Sequence, residues 1–169
     1  MKKVILLFIF SVTAMVLFAQ QYDSPQVAMN TYVSGGPPSG DCTRKALSDS
    51  LFLFEYRYYQ PDISTVYALR PILVEISITV VLGTWSEDSR KHIPHFFKIM
   101  DMMKGYDNYH LVCAEHNAKG GAVSVSGLNI AKVPTFIIYR KGIEIGRIIE
   151  KPKESLEKDL LAIIVKERH

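Results

Sequence analysis

The chain has 169 residues and two cysteines, and its 20 Lys and Arg stand against 17 Asp and Glu. This nearly neutral balance, which contains no basic run, gives no support for a nucleic-acid or anionic-membrane partner. Cys42 and Cys113 lie far apart and form no C-x-x-C motif, which excludes a disulfide-dense scaffold.

Residues 1–19 have the layout of a secretory signal peptide. Lys2 and Lys3 precede an apolar run from Val4 to Phe18, and Ala19 offers a small residue at the cleavage point. An uncleaved membrane anchor is the alternative, but this run is shorter than the about 20 residues of a spanning helix. We therefore expect export to the periplasm of a Gram-negative bacterium or secretion, with no membrane association after cleavage. The roughly 150 remaining residues suffice for one domain.

Residues 20–42 are rich in Gly, Pro and Ser and predict a flexible leader. Residues 43–71 predict an N-terminal helical extension of two helices. The first is expected from Thr43 to Tyr59, and Asp62 is expected to cap a second, short helix that runs to about Leu69. The apolar face of the first helix is predicted at Ala46, Leu47, Leu51, Phe54 and Tyr58.

Residues 72–166 alternate strands and helices, which predicts one α/β domain. The run from Ile72 to Leu82 is rich in Ile and Val and predicts a strand buried on both faces. Later strands are expected at Tyr109–Glu115, Val133–Tyr139 and Ile143–Ile149, the last two joined by a turn at Lys141-Gly142. Two helices complete the domain, with apolar faces predicted at Ile93, Phe96, Phe97, Met100 and Met103 and at Leu156, Leu160 and Ile164.

Two short motifs in this region resemble the thioredoxin superfamily. The first strand leads into Trp85-Ser86-Glu87-Asp88-Ser89-Arg90, with Pro94 five residues after Ser89, and the third strand begins Val133-Pro134-Thr135. Thioredoxins have Trp-Cys-x-x-Cys before Lys or Arg at a helix start, and a cis-proline opens a later strand. The resemblance covers residues 72–166. It implies a thioredoxin-like fold, with a central mixed sheet of about four strands flanked by helices, and a cis bond before Pro134.

Serine stands where thioredoxins have both motif cysteines, at Ser86 and Ser89, and Val80 occupies the position of their buried acid. A helix N-terminus stabilises a thiolate, but a serine hydroxyl is far less acidic and has no disulfide state. We therefore expect no dithiol chemistry, no catalytic residue and no cofactor. Thr84 or Ser86 is expected to cap the helix instead.

Other chemistries find weak support in the sequence. A serine nucleophile needs an oriented base, and nothing is predicted to orient His92 beside Ser89, so His92 is expected to be an ordinary surface histidine. Cys113 is expected to be a small buried side chain within a strand. No metal site is expected, because no recognised ligand spacing joins His92, His95, His110 and His116.

The resemblance implies a binding function. In thioredoxins the backbone beside the cis-proline pairs with an extended client segment, so we expect an exported protein or peptide as the client. The expected peptide-binding residues are Trp85, Ser86, Val133, Pro134 and Thr135. The alternative is a thiol-disulfide oxidoreductase or redox-homeostasis protein that uses Cys113 or Cys42 alone, which requires an accessible and acidic thiol.

Overall fold

The computed structural model describes residues 40–41, 44–47, 49–114 and 127–166. Within them, five strands and four α-helices alternate in the manner of an α/β domain. The strands are β1 (Gly40–Asp41), β2 (Ile76–Leu82), β3 (Tyr109–Cys113), β4 (Thr135–Arg140) and β5 (Ile143–Ile149). The helices are α1 (Ser50–Tyr58), α2 (Ile63–Leu69), α3 (Glu87–Met102) and α4 (Leu156–Lys166), and 3-10 turns occupy Arg44–Leu47 and Arg70–Ile72.

The sheet is mixed and has the strand order β1-β3-β2-β4-β5. β2 is central: it runs parallel to β3, with Leu82 beside Cys113, and antiparallel to β4. β4 and β5 form the expected hairpin, and β1 adds two residues to the outer edge of β3. The expected mixed sheet of about four strands flanked by helices is confirmed, with β1 as a short addition.

The main core lies between one face of the sheet and the helices. β2 contributes alternate residues such as Ile78 and Val80, and α3 covers them with Phe96 and Phe97. The predicted apolar faces of α3 and α4 are all buried, which confirms both. The helical spacing of the apolar residues was sufficient to predict these two faces, because each helix carries a single apolar stripe that faces the sheet.

The predicted face of the first helix is wrong. The N-terminal part of the predicted helix is a 3-10 turn. α1 begins separately after it, with Asp49 as the N-cap whose carboxylate accepts a hydrogen bond from the Phe52 amide. Phe52 is the side chain that α1 buries, against Phe97, whereas Leu51, Phe54 and Tyr58 are exposed. The helix is apolar on both sides, so its spacing alone could not identify which side meets α3.

Other boundaries differ only locally. Asp62 caps α2 as predicted, because its carboxylate accepts from the Thr65 amide. β2 begins at Ile76 rather than Ile72, since the residues from Arg70 to Ile72 form a 3-10 turn. β4 begins at Thr135 rather than Val133. In the part of the chain that the structure describes, no helix has the length and apolar character needed to cross a membrane.

Candidate functional site

Ser86 forms the N-cap of α3 where the chain leaves β2. Its hydroxyl oxygen accepts from the Ser89 amide at 3.3 Å, and its own amide donates to the Gly83 carbonyl across a tight turn. Glu87 and Asp88 occupy the first helical turn, where the positive end of the helix dipole favours acids. The prediction that Thr84 or Ser86 caps this helix is confirmed for Ser86.

A cis peptide bond joins Val133 to Pro134 and lies directly beside this cap. The Ser86 hydroxyl donates to the Val133 carbonyl at 3.0 Å, which connects positions 47 residues apart in the chain. On the far side, the Pro134 carbonyl accepts from the Glu150 amide at 2.7 Å. The expected cis bond is confirmed, and the helix start and the start of β4 are in direct contact.

The five predicted peptide-binding residues differ in what they present to solvent. Trp85 is 43 % exposed, and its indole lies so close over Gly83 that a Cβ on the glycine would meet it at 2.7 Å. Ser86 is half-buried. Val133, Pro134 and Thr135 are buried, so Trp85 is the exposed side chain of the five.

Ser89 points away from this surface. It is buried, and its hydroxyl oxygen accepts from the Gly83 amide at 3.2 Å. A cavity of about 30 Å³ adjoins it, enough for one or two waters. The N-terminal residues Leu47, Asp49 and Phe52 line the back of this cavity, a contribution that no local motif predicted.

Residues from α1 hold the start of α3 in place. The Arg90 guanidinium lies 3.1 Å from the Asp49 carboxylate, so the residue that caps α1 also pairs with the last residue of the motif. Near the C-terminal end of α3, Asp101 accepts two hydrogen bonds from Arg44, which precedes α1, and a third from Tyr56. These contacts fix α1 against the length of α3.

His92 is buried, which corrects the expectation of a surface histidine. It and His95 are 8 % and 7 % exposed, and their rings meet edge to face at 5.5 Å. His95 is bonded to the Glu55 carboxylate at 3.0 Å and stacks on Tyr59, whereas Nδ1 of His92 has no hydrogen-bond partner among the residues that the structure describes. The His92 side chain is buried because α1 covers the face of α3 on which it lies. The sequence pattern had predicted that this face is exposed to solvent.

Burial controls the protonation of both imidazoles. Desolvation, with His95 and Lys91 nearby, lowers the pKa of His92 from 6.5 to about 4. Desolvation also lowers the pKa of His95, although the Glu55 carboxylate opposes this by favouring the charged form. His92 is thus neutral near pH 7, and the hydroxyls of Ser86 and Ser89 are hydrogen-bonded to backbone groups.

His92, His95 and His110, the three histidines that the structure describes, do not form a ligand set. His110 is exposed on β3, and His116 lies outside the described residues. Within 44–47, 49–114 and 127–166, no group of three or more His, Cys, Asp or Glu side chains is placed to hold a metal ion.

Cys113 ends β3 next to Leu82, one strand away from the Ser86 cap. It is buried as predicted, but it is disulfide-bonded rather than a free thiol. Cys42, the one other cysteine of the chain, lies outside the described residues. Cys113 is therefore neither accessible nor ionisable in this state.

Comparisons with known proteins find similarity to solved structures. No family model and no curated protein matches the chain. A 1.5 Å crystal structure of a protein of unknown function from Pseudomonas aeruginosa is similar, with a TM-score of 0.51 and 13 % identity over 69 % of this chain and 83 % of that one. At this identity the similarity concerns the fold alone.

Proposed function

We propose that this chain is an exported, thioredoxin-like binding protein without dithiol chemistry, which holds extended polypeptide non-covalently beside the cis-proline. The observation that carries the proposal is the contact between the Ser86 hydroxyl and the Val133 carbonyl at 3.0 Å. It places the helix start, an exposed tryptophan and the backbone before β4 at one surface. A strand followed by the motif helix, then a hairpin and a closing helix, supports the thioredoxin-like fold.

The chemistry of the site favours binding over catalysis. Ser86 and Ser89 both use their hydroxyls as backbone partners, and each stands where a redox site needs sulfur. A client would pair with main-chain atoms of this segment, as in strand addition, which provides affinity without a specific side-chain sequence. Trp85 supplies an exposed aromatic ring for the neighbouring client residue.

The disulfide at Cys113 supports export. Disulfides persist in oxidising compartments such as the periplasm and are rare where glutathione keeps thiols reduced. The same bond weakens the alternative of a lone-cysteine oxidoreductase at this position, because that activity needs an accessible, acidic thiol. Cys113 is buried and already bonded.

Trp85 is the one tryptophan of the chain, so its fluorescence reports on this surface directly. Titration with reduced, carboxymethylated ribonuclease A, which cannot refold and contains no tryptophan, should shift the emission in a saturable manner. Trp85→Ala should weaken binding of the same polypeptide, labelled with fluorescein, at least tenfold by anisotropy, as expected for an exposed aromatic anchor. Ile143→Ala removes an exposed apolar side chain on the β4–β5 hairpin and serves as the control.

Ser86→Ala gives a second, sharper test. This change removes the hydroxyl that occupies one lone pair of the Val133 carbonyl, so a client amide would meet a less crowded acceptor. We expect binding as tight as the wild type or tighter. Binding that survives Trp85→Ala unchanged would reject this surface as the polypeptide site.

A further inference from the structure

The leader joins the domain at the end of the sheet that carries the candidate site. Residues 20–39 lie outside the described residues, but β1 fixes where they enter. β1 runs antiparallel to β3 with Gly40 opposite Cys113, so the chain before Gly40 comes from beyond the C-terminal end of β3. β2 runs parallel to β3 and ends at Leu82, also beside Cys113 and directly before the motif. The leader and the motif are therefore at the same end of the sheet.

The path from β1 to the cis-proline is short compared with the length of the leader. Because β1, β3, β2 and β4 are neighbours in this order, three strand spacings, about 14 Å in all, separate β1 from β4. β4 begins at Thr135, next to the cis bond before Pro134. An extended chain covers about 3.3 Å per residue, so the stretch from Val33 to Gly40 can span roughly 23 Å. Residues up to Val33 can thus reach the site while β1 stays paired.

One part of the leader has the composition of a strand. Residues 27–33 read Val-Ala-Met-Asn-Thr-Tyr-Val, and four of these seven are β-branched or aromatic. Pro25 precedes them, and Gly35-Gly36-Pro37-Pro38 follows. We call residues 27–33 the leader segment. It has no charged side chain, so Glu87 and Asp88 in the first turn of α3 do not repel it.

The site offers the groups that an extended segment needs. Trp85 is exposed directly before the helix start. The Val133 carbonyl accepts a hydrogen bond from the Ser86 hydroxyl, and a carbonyl oxygen has two lone pairs. Main-chain pairing beside one aromatic ring requires no particular side-chain sequence. A segment of the same chain can therefore satisfy this site as well as a client can.

We propose that the leader segment occupies the polypeptide site in cis and competes with the client. The inference rests on the proposed function, because both occupants use the surface beside Trp85 and Pro134. A short tether gives an effective concentration of about 1 mM. A segment that binds with a Kd of about 0.1 mM would then close about 90 % of the sites and weaken the client's apparent affinity about tenfold.

Paired prolines in the chain from Gln20 to His169 test this occupancy. Proline has no amide hydrogen, and successive amides of a strand face opposite edges. Met29→Pro with Thr31→Pro removes two amides from one edge of the leader segment. Ala28→Pro with Asn30→Pro removes two from the other edge, so at least one of the two pairs should release the segment.

Acrylamide quenching of Trp85, the one tryptophan of the chain, measures the occupancy without any client. In the proline pair that releases the segment, the Stern–Volmer constant should rise about threefold or more over the wild type, because the open fraction increases from about 10 % to nearly all. Gln21→Pro with Asp23→Pro adds two prolines outside the leader segment and should quench as the wild type does.

The client assay separates this inference from the proposed function. The released variant should bind carboxymethylated ribonuclease A about tenfold more tightly than the wild type. Equal quenching of Trp85 in the wild type, the control and both proline pairs would overturn the inference, whatever the client result. Increased quenching without client binding in any variant would support the leader contact and reject the proposed function. Protection of Trp85 that is lost on about hundredfold dilution would assign the contact to a second copy and overturn occupancy in cis.

Discussion

The buried histidine pair predicts a specific loss of stability in mild acid. His92 is 8 % exposed, and its Nδ1 has no hydrogen-bond partner in the described part of the chain. Its pKa in the folded protein is about 4, against 6.5 for an exposed histidine. Between these two values the unfolded chain binds a proton that the folded chain rejects. Stability from His92 is therefore complete above pH 6.5 and is lost as the pH falls toward 4.

The magnitude follows from this difference in pKa. Each unit corresponds to about 1.4 kcal/mol, so the full effect of His92 is roughly 3 kcal/mol, of which about 2 kcal/mol should be lost between pH 7.5 and 4.5. His95 adds to the loss in the same direction, reduced by its bond to Glu55. Asp62 titrates below this window, because its pKa is lowered to about 2 by hydrogen bonds from Ser64 and Thr65.

Urea unfolding at pH 7.5, 6.5, 5.5 and 4.5, followed by circular dichroism, measures the effect. In His92→Gln the decrease between pH 7.5 and 4.5 should shrink by about 2 kcal/mol, because glutamine does not titrate. His110→Gln, which changes an exposed histidine on β3, serves as the control variant. An NMR titration that gives His92 a pKa near 6.5, or a decrease of equal size in His92→Gln, would refute the reasoning.

Three further measurements test the site and its support. The purified protein should not reduce a disulfide substrate with dithiothreitol above background, and turnover that persists after Cys42→Ala and Cys113→Ala would contradict the absence of dithiol chemistry. In that cysteine-free background, Ser86→Cys should show a thiol pKa below about 8.5 by iodoacetamide labelling against pH, because the helix start favours the thiolate; an ordinary value would mean that the cap no longer provides this environment. Tyr59→Phe should lower the free energy of unfolding by about 1–2 kcal/mol in urea, since the buried Glu157 carboxylate loses a 2.5 Å hydrogen bond, and an unchanged value would show that this bond contributes nothing.

Local physics explains what could be predicted from the sequence. The apolar faces of α3 and α4 follow a helical period with one candidate side, and Asp62 can cap α2 because the cap and its partner amide are three residues apart. The Lys141-Gly142 turn and the strand from Ile143 to Ile149 match the prediction for the same reason, since a tight hairpin depends on adjacent residues.

The site could be predicted only in part. Trp85, Ser86 and the bond before Pro134 were found because they sit in short motifs of fixed spacing. Two hydrogen bonds depend on side-chain rotamers that the packed turn sets. They are the bond from the Ser86 hydroxyl to the Val133 carbonyl and the bond from the Gly83 amide to the Ser89 hydroxyl. The sequence could place these residues near one another but not choose their partners.

Tertiary structure alone decided everything that depends on α1. Its two apolar sides are equivalent in the sequence pattern, and docking on α3 buried Phe52 while it exposed Phe54 and Tyr58. The same docking buried His92, because a polar residue on a helix surface becomes interior once another helix covers it. Asp49 and Arg90 form an ion pair although they are 41 residues apart in the chain. A contact over that separation is set by the fold rather than by local spacing.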